Sequence, residues 1–168
     1  MMSNTPNSIA HSGKTNTSLP DSAGGNGVFV SKVTLSDFRS YSSLALTVDT
    51  PRPFVVLVGP NGAGKTNILE AISLMAPGRG LRRASQDEMA RKGASGPWSA
   101  ALRMQVCGNQ VSVGTGSDPS GKARRLVRLN GETLSSSEAL GHHWGMVWLT
   151  PQMDRIFIES PGTRRRFL

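Results

Sequence analysis

Gly59-Pro60-Asn61-Gly62-Ala63-Gly64-Lys65-Thr66 has the residue types and the spacing, G-x-x-x-x-G-K-T, of a loop that holds phosphate. Its glycines let successive backbone N–H groups turn inward and form an anion-binding nest. A helix that starts at the end of the loop aims its own N–H groups and its dipole at the same anion. In this pattern Lys65 reaches the β- and γ-phosphates and the Thr66 hydroxyl ligates magnesium, with Asn67 continuing the cofactor-binding set. The chemistry expected is nucleotide binding, with ATP and Mg²⁺ as the first candidates.

The flanking elements must position that loop. Phe54-Val-Val-Leu-Val58 is a short, continuous apolar run, the pattern of a strand buried on both faces in a parallel sheet. Asn67-Ile-Leu-Glu-Ala-Ile-Ser-Leu-Met75 carries apolar residues at helical spacing, and Pro77-Gly78 stops it. Strand, glycine loop and helix therefore follow in the order the motif needs. The fold class expected is α/β, a P-loop NTPase with an added antiparallel β portion.

That antiparallel portion is visible on both sides of the loop. Val28–Leu35 and Leu44–Val48 alternate and predict a pair joined through the turn Asp37–Tyr41. Downstream, Ala100–Val106, Gln110–Gly114 and Arg124–Leu129 read as strands. Asn130-Gly131 predicts a tight hairpin to Glu132–Leu134. Ser85 with Glu88, and Ser135 with Glu138, predict capping boxes, for a short helix ending at Gly93 and for one over 136–143. Met146–Leu149 reads as a further buried strand.

Hydrolysis needs an acid at the end of an apolar strand downstream of the loop, where it completes the magnesium site. Asp49 ends an apolar stretch but precedes the loop, and Asp154 follows Pro-Gln-Met rather than a strand. Leu134-Ser-Ser-Ser-Glu138 lacks the two glycines of an ABC signature sequence. No N-K-x-D base-specificity motif of a GTPase is present either. The chain therefore carries half an ATPase site, and catalytic residues are assigned to none of its positions.

Composition sets the remaining bounds. The 168 residues amount to about one domain. Nineteen Lys and Arg against eleven Asp and Glu give a net charge of +8, which favours a polyanionic partner, nucleic acid first. Basic clusters lie at Arg79–Lys92, at Lys122–Arg128 and at Arg164–Arg166. They suit phosphate-backbone contact without base reading. Aromatics, at 5%, are too sparse for a single-strand stacking platform, and Trp98, Trp144 and Trp148 are expected in the core. The lone Cys107 reads as a small buried apolar residue, consistent with a reducing cytosol. No apolar run approaches the roughly 18 residues of a membrane span. Residues 1–27, rich in Ser, Asn and Gly, read as a disordered leader ahead of a folded part over 28–168.

Several blocks together resemble the N-terminal part of the RecF family, SMC-like ABC ATPases. Leu35-Ser-Asp-Phe-Arg-Ser-Tyr41 is similar to its L-x-x-F-R-x-Y, and Val58–Ile72 to its P-loop and helix. Gly78-Arg-Gly-Leu-Arg82, Leu129-Asn-Gly131 and Pro161-Gly-Thr-Arg-Arg-Arg-Phe-Leu168 are similar to further blocks in the family's order. The resemblance implies a partial ABC-type ATPase head that dimerises on ATP, and a cytoplasmic role in DNA repair, recombination, replication and the SOS response. It implies binding to single-stranded, gapped or junction DNA, with RecO and RecR as partners in loading RecA. It places Arg39 beside the nucleotide phosphates and makes Gln152 a candidate magnesium contact. The family is more than twice this length and carries its Walker B and signature segments later. The chain is therefore expected to be a truncated head, with hydrolysis and dimerisation dependent on the missing half.

Overall fold

A computed structural model describes residues 27–49, 54–122 and 124–151. Six strands form one antiparallel sheet in the order β2-β1-β3-β4-β5-β6. They are β1 (Val28–Phe38), β2 (Tyr41–Thr47), β3 (Ser99–Val106), β4 (Asn109–Ser117), β5 (Arg125–Leu129) and β6 (Glu132–Thr133). Two α-helices, α1 (Lys65–Ser73) and α2 (Gln86–Met89), and a 3₁₀ helix, Ser137–His142, complete the described elements.

Alternation in the strands puts one apolar row inward. Val33 and Leu35 of β1, Leu102 and Met104 of β3, Val113 of β4 and Val127 of β5 are all buried. Against them pack Ile68, Ala71, Leu74 and Met75 from α1 and its C-terminal turn. Phe38 lies tilted against Trp98 with ring centroids 5.5 Å apart. The Trp144 indole N–H donates to the Met75 carbonyl at 2.8 Å, closing the core below α1. Each fully buried large side chain contributes about 1.5–3 kcal/mol by removal from water, so this layer holds α1 to the sheet. Trp148 is only half-buried.

Local signals hold where they are self-contained. Asn130 and Gly131 both take positive φ, 50° and 91°, and turn β5 into β6. Ser85 and Glu88 form the reciprocal capping box of α2, although that helix stops at Met89, well short of Gly93.

Four expectations need correction. Phe54–Val58 forms no strand, and Phe54, Val56 and Val58 are 80%, 80% and 76% exposed. Met146–Leu149 likewise forms no strand, with Val147 and Leu149 exposed. Both runs have the composition of strands buried on two faces. Among the described residues no neighbouring strand pairs with either, so only Leu57 and Met146 pack in part against the core and their neighbours stay exposed. Cys107 is exposed in the β3–β4 turn with φ 48°. It sits out of phase with the inward row Leu102, Met104. The segment after Ser135 is a 3₁₀ helix without a side-chain cap at Ser136, rather than a capped α-helix. No helix among the described residues is long and apolar enough to cross a membrane.

Candidate nucleotide-phosphate site

The phosphate loop runs directly into α1. Gly64 is the N-cap, at φ 89° and ψ 4°, a left-handed conformation that costs a non-glycine residue about 1–2 kcal/mol. Space demands glycine as well, because a Cβ there would lie 2.5 Å from the Tyr41 hydroxyl oxygen. Gly62 is also left-handed, at φ 83°. The helix begins with the Asn67 and Ile68 N–H groups donating to the Gly64 carbonyl. The N–H groups that precede them face the loop without intrahelical acceptors, which is the geometry that receives an anion.

Lys65 and Thr66 stand where the motif requires. The Lys65 ammonium folds back over the loop and donates to the carbonyls of Gly59 at 2.7 Å and Pro60 at 2.8 Å. Thr66 is exposed in the first turn of α1. It offers the one hard oxygen a P-loop gives to Mg²⁺. An ion there would draw its other ligands from phosphate oxygens and water, as magnesium prefers. The donor set fits that use.

Tyr41 closes the loop from the side of the β1–β2 hairpin. Its hydroxyl donates to the Ala63 carbonyl at 3.2 Å, and partial burial raises its pKa above the ordinary tyrosine value. From the same hairpin turn, Ser40 accepts a hydrogen bond from the Asn67 side-chain amide at 2.9 Å. The F-R-x-Y block and the loop are thus tied together on two sides.

Arg39 lies in this turn at φ 53°. Its guanidinium forks onto Glu70, with Nε to Oε2 at 2.9 Å and Nη2 to Oε1 at 2.5 Å, and Nη1 donates to the Glu88 carbonyl at 2.6 Å. Arg82 Nη1 reaches the same Glu70 Oε2 at 2.9 Å and the Asn67 side-chain carbonyl oxygen at 3.0 Å. The Glu70 side chain is only 2% exposed. Motif and spacing give Glu70 no role. Its one signal in the sequence is an acid at a helical position between Ile68 and Ala71, both of which are buried. A buried carboxylate requires a cationic partner, and here it has two.

Arg39, Ser40, Asn67 and Arg82, with Arg91 and Lys92, line a cavity of about 570 Å³. Arg91 is held by Asp37 at 2.7 Å. Gln152, Asp154 and the cluster Arg164–Arg166 lie outside the described residues.

A sequence model described as the RecF/RecN/SMC N terminal domain matches residues 29–139. The chain belongs to this family. It is 48% identical over 140 residues to the DNA replication and repair protein RecF of Mesorhizobium japonicum, a match that covers 83% of this chain and 36% of that protein. It is 44% identical over 142 residues to the same-named protein of Rhizobium rhizogenes, covering 84% of this chain and 37% of that one. The chain thus spans little more than a third of the length of these relatives. A solved structure of the recombination mediator protein RecF with ATP, in the RecFOR pathway, superposes with a TM-score of 0.66 at 22% identity, covering 83% of this chain and 38% of that chain. A structure from work on ATP-driven dimerization and DNA-stimulated activation of SMC ATPases gives a TM-score of 0.62 at 21% identity, covering 83% of this chain and 96% of that one. The fold is therefore that of part of a RecF/SMC-type ATPase head, with the antiparallel sheet as its best-formed layer. The resemblance to the N-terminal part of RecF read from the sequence holds.

Proposed function

We propose that this chain is the ATP-binding portion of a RecF-type protein of DNA replication and repair. The observation that carries the reading is the loop Gly59–Thr66, seated on the N-terminus of α1 with its glycine N-cap in the left-handed conformation. The triphosphate would lie in the nest, with Lys65 exchanging the loop carbonyls for β- and γ-oxygens. Gly59 to Asn67 form the contact set. The cavity at Asn67 would receive the rest of the nucleotide, with Arg39 and Arg82 on its wall. Arg39 could meet a phosphate only by giving up part of its fork on Glu70, so its phosphate contact depends on nucleotide arriving. Thr66 would hold magnesium, which would supply neutralisation of phosphate charge. Gln152 is retained as a second magnesium contact.

The partners follow from the family and the charge. The net charge of +8 suits DNA bound through its backbone. Single-stranded, gapped or junction DNA, cooperation with RecO and RecR in loading RecA, ATP-dependent homodimerisation, and a cytoplasmic role in recombination and the SOS response are carried over as proposals from the RecF reading. No residue here is assigned to hydrolysis. The test is an ATP titration with and without Mg²⁺ on the wild-type chain and on Thr66→Ala. Magnesium should tighten binding to wild type and lose that effect in the variant. Binding that ignores magnesium in both would remove Thr66 from the site.

A further inference from the structure

The outer face of the sheet, opposite α1, carries no acid on β1 to β5. Asp37 is the one carboxylate in those strands, and it is paired with Arg91 at the end of β1. The outward row instead holds three cations, Lys32 on β1, Arg103 on β3 and Arg128 on β5. None of them has an ion-pair partner among the described residues. Lys32 stands directly opposite Arg103 in the register. Like charges placed directly across a strand pair destabilise it. No carboxylate of β1 to β5 stands in the outward row to relieve that repulsion.

The rest of the face is flat and hydroxyl-bearing. Thr34, Ser36, Ser99 and Ser112 point outward and are exposed. Gly114 faces Ala101 on one side and Arg128 on the other, and Gly116 stands between Ser99 and Leu126, so no bulky side chain rises between the cations. β1 and β5 are three strand spacings apart in the sheet. Arg128 is level with Thr34, two residues along β1 from Lys32. At about 4.8 Å per strand and about 3.4 Å per residue, Lys32 and Arg128 are separated by about 16 Å. That span is of the same order as the ~12 Å width of a major groove, whose edges are two rows of phosphates. Lysine, arginine and small hydroxyls are the side chains that contact sugar-phosphate backbone without reading bases.

We propose that this outer sheet face is a docking surface for the phosphate backbone of duplex DNA. An anion between Lys32 and Arg103 turns their repulsion into a shared contact, and the outward row of β1 to β5 carries no carboxylate to oppose it. The inference rests on the DNA-binding part of the RecF reading, and it places DNA on the side of the sheet away from the phosphate loop.

The test is the salt dependence of duplex affinity for the full chain, on mixed-sequence DNA. The combined variant Lys32→Gln, Arg103→Gln, Arg128→Gln should lower the magnitude of the log K against log salt slope by up to about 2.7, about 0.9 for each phosphate no longer neutralised. Thr34→Glu, at an exposed position between these cations, should weaken binding at fixed salt. The pair Arg83→Gln, Lys122→Gln, exposed cations of the two basic clusters that lie off this face, should lower the slope less, residue for residue, than the triple variant. Circular dichroism of each variant shows that the sheet is retained. If the triple variant keeps the wild-type slope, or the control pair lowers it equally, residue for residue, the face is not the docking surface while the RecF reading stands. If the wild-type chain shows no salt-dependent duplex binding, the DNA-binding reading and this surface fall together.

Discussion

Removing the Glu70 carboxylate should destabilise the chain more than removing either arginine that reaches it. Glu70 accepts three charge-assisted hydrogen bonds, two from Arg39 and one from Arg82, with its own side chain 2% exposed. Breaking a buried ion pair by deleting one partner costs about 3–5 kcal/mol. Two features reduce that here. The Arg39 side chain is 19% exposed, so water can partly rehydrate its guanidinium. The Arg82 side chain is 42% exposed, so its pair is worth about 0–1 kcal/mol. Glu70→Ala should therefore cost about 2–4 kcal/mol. Arg39→Ala should cost less, because Arg82 remains to neutralise the carboxylate, and Arg82→Ala about 1 kcal/mol or less. Urea denaturation of the four chains measures this directly, as a shift in midpoint at constant m-value. A Glu70→Ala effect below about 0.5 kcal/mol, or Arg82→Ala exceeding Arg39→Ala, would show that Glu70 does not organise the cluster.

Two further outcomes follow from local geometry. Gly64→Ala should reduce stability and ATP affinity together, since its left-handed backbone and the Tyr41 hydroxyl at 2.5 Å both oppose a methyl group. Tyr41→Ala in the same chain should restore part of the stability, which denaturation and titration of the double variant would reveal. Asp118 is held well below the usual carboxylate range by the Arg124 side chain and then by Ser120. Because its pKa is depressed in the folded state, its stabilising contribution is present above the ordinary carboxylate pKa of about 3.9 and is lost as pH falls further. Asp118→Asn should flatten that acid-side decline in a pH series of denaturation curves.

The legible parts of the chain are those fixed by a few adjacent residues. Asn130-Gly131 forces a tight turn, Ser85 and Glu88 cap each other, and alternation along β1, β3 and β4 sets which side faces inward. The phosphate loop is legible for the same reason, since its spacing and its glycine conformations are local. Phe54–Val58 and Met146–Leu149 mislead because a two-face-buried strand exists only when neighbours pair with it, and composition cannot supply the neighbours. Cys107 misleads because the alternation of β3 stops one residue before it, where the chain turns. Glu70 is invisible to motif and spacing because its meaning lies in residues 31 positions before and 12 after it, which only the fold brings together. The same holds for the outer sheet face, whose cations come from three strands.

The central claim is that Gly59–Thr66 cradles the phosphates of ATP. Isothermal titration of ATP with magnesium into the wild-type chain and into Lys65→Ala tests it most directly. Wild type should bind saturably, and the variant should bind at least about tenfold more weakly, roughly 1.4 kcal/mol. Equal affinity in the two chains, or no saturable binding by wild type, would contradict the claim.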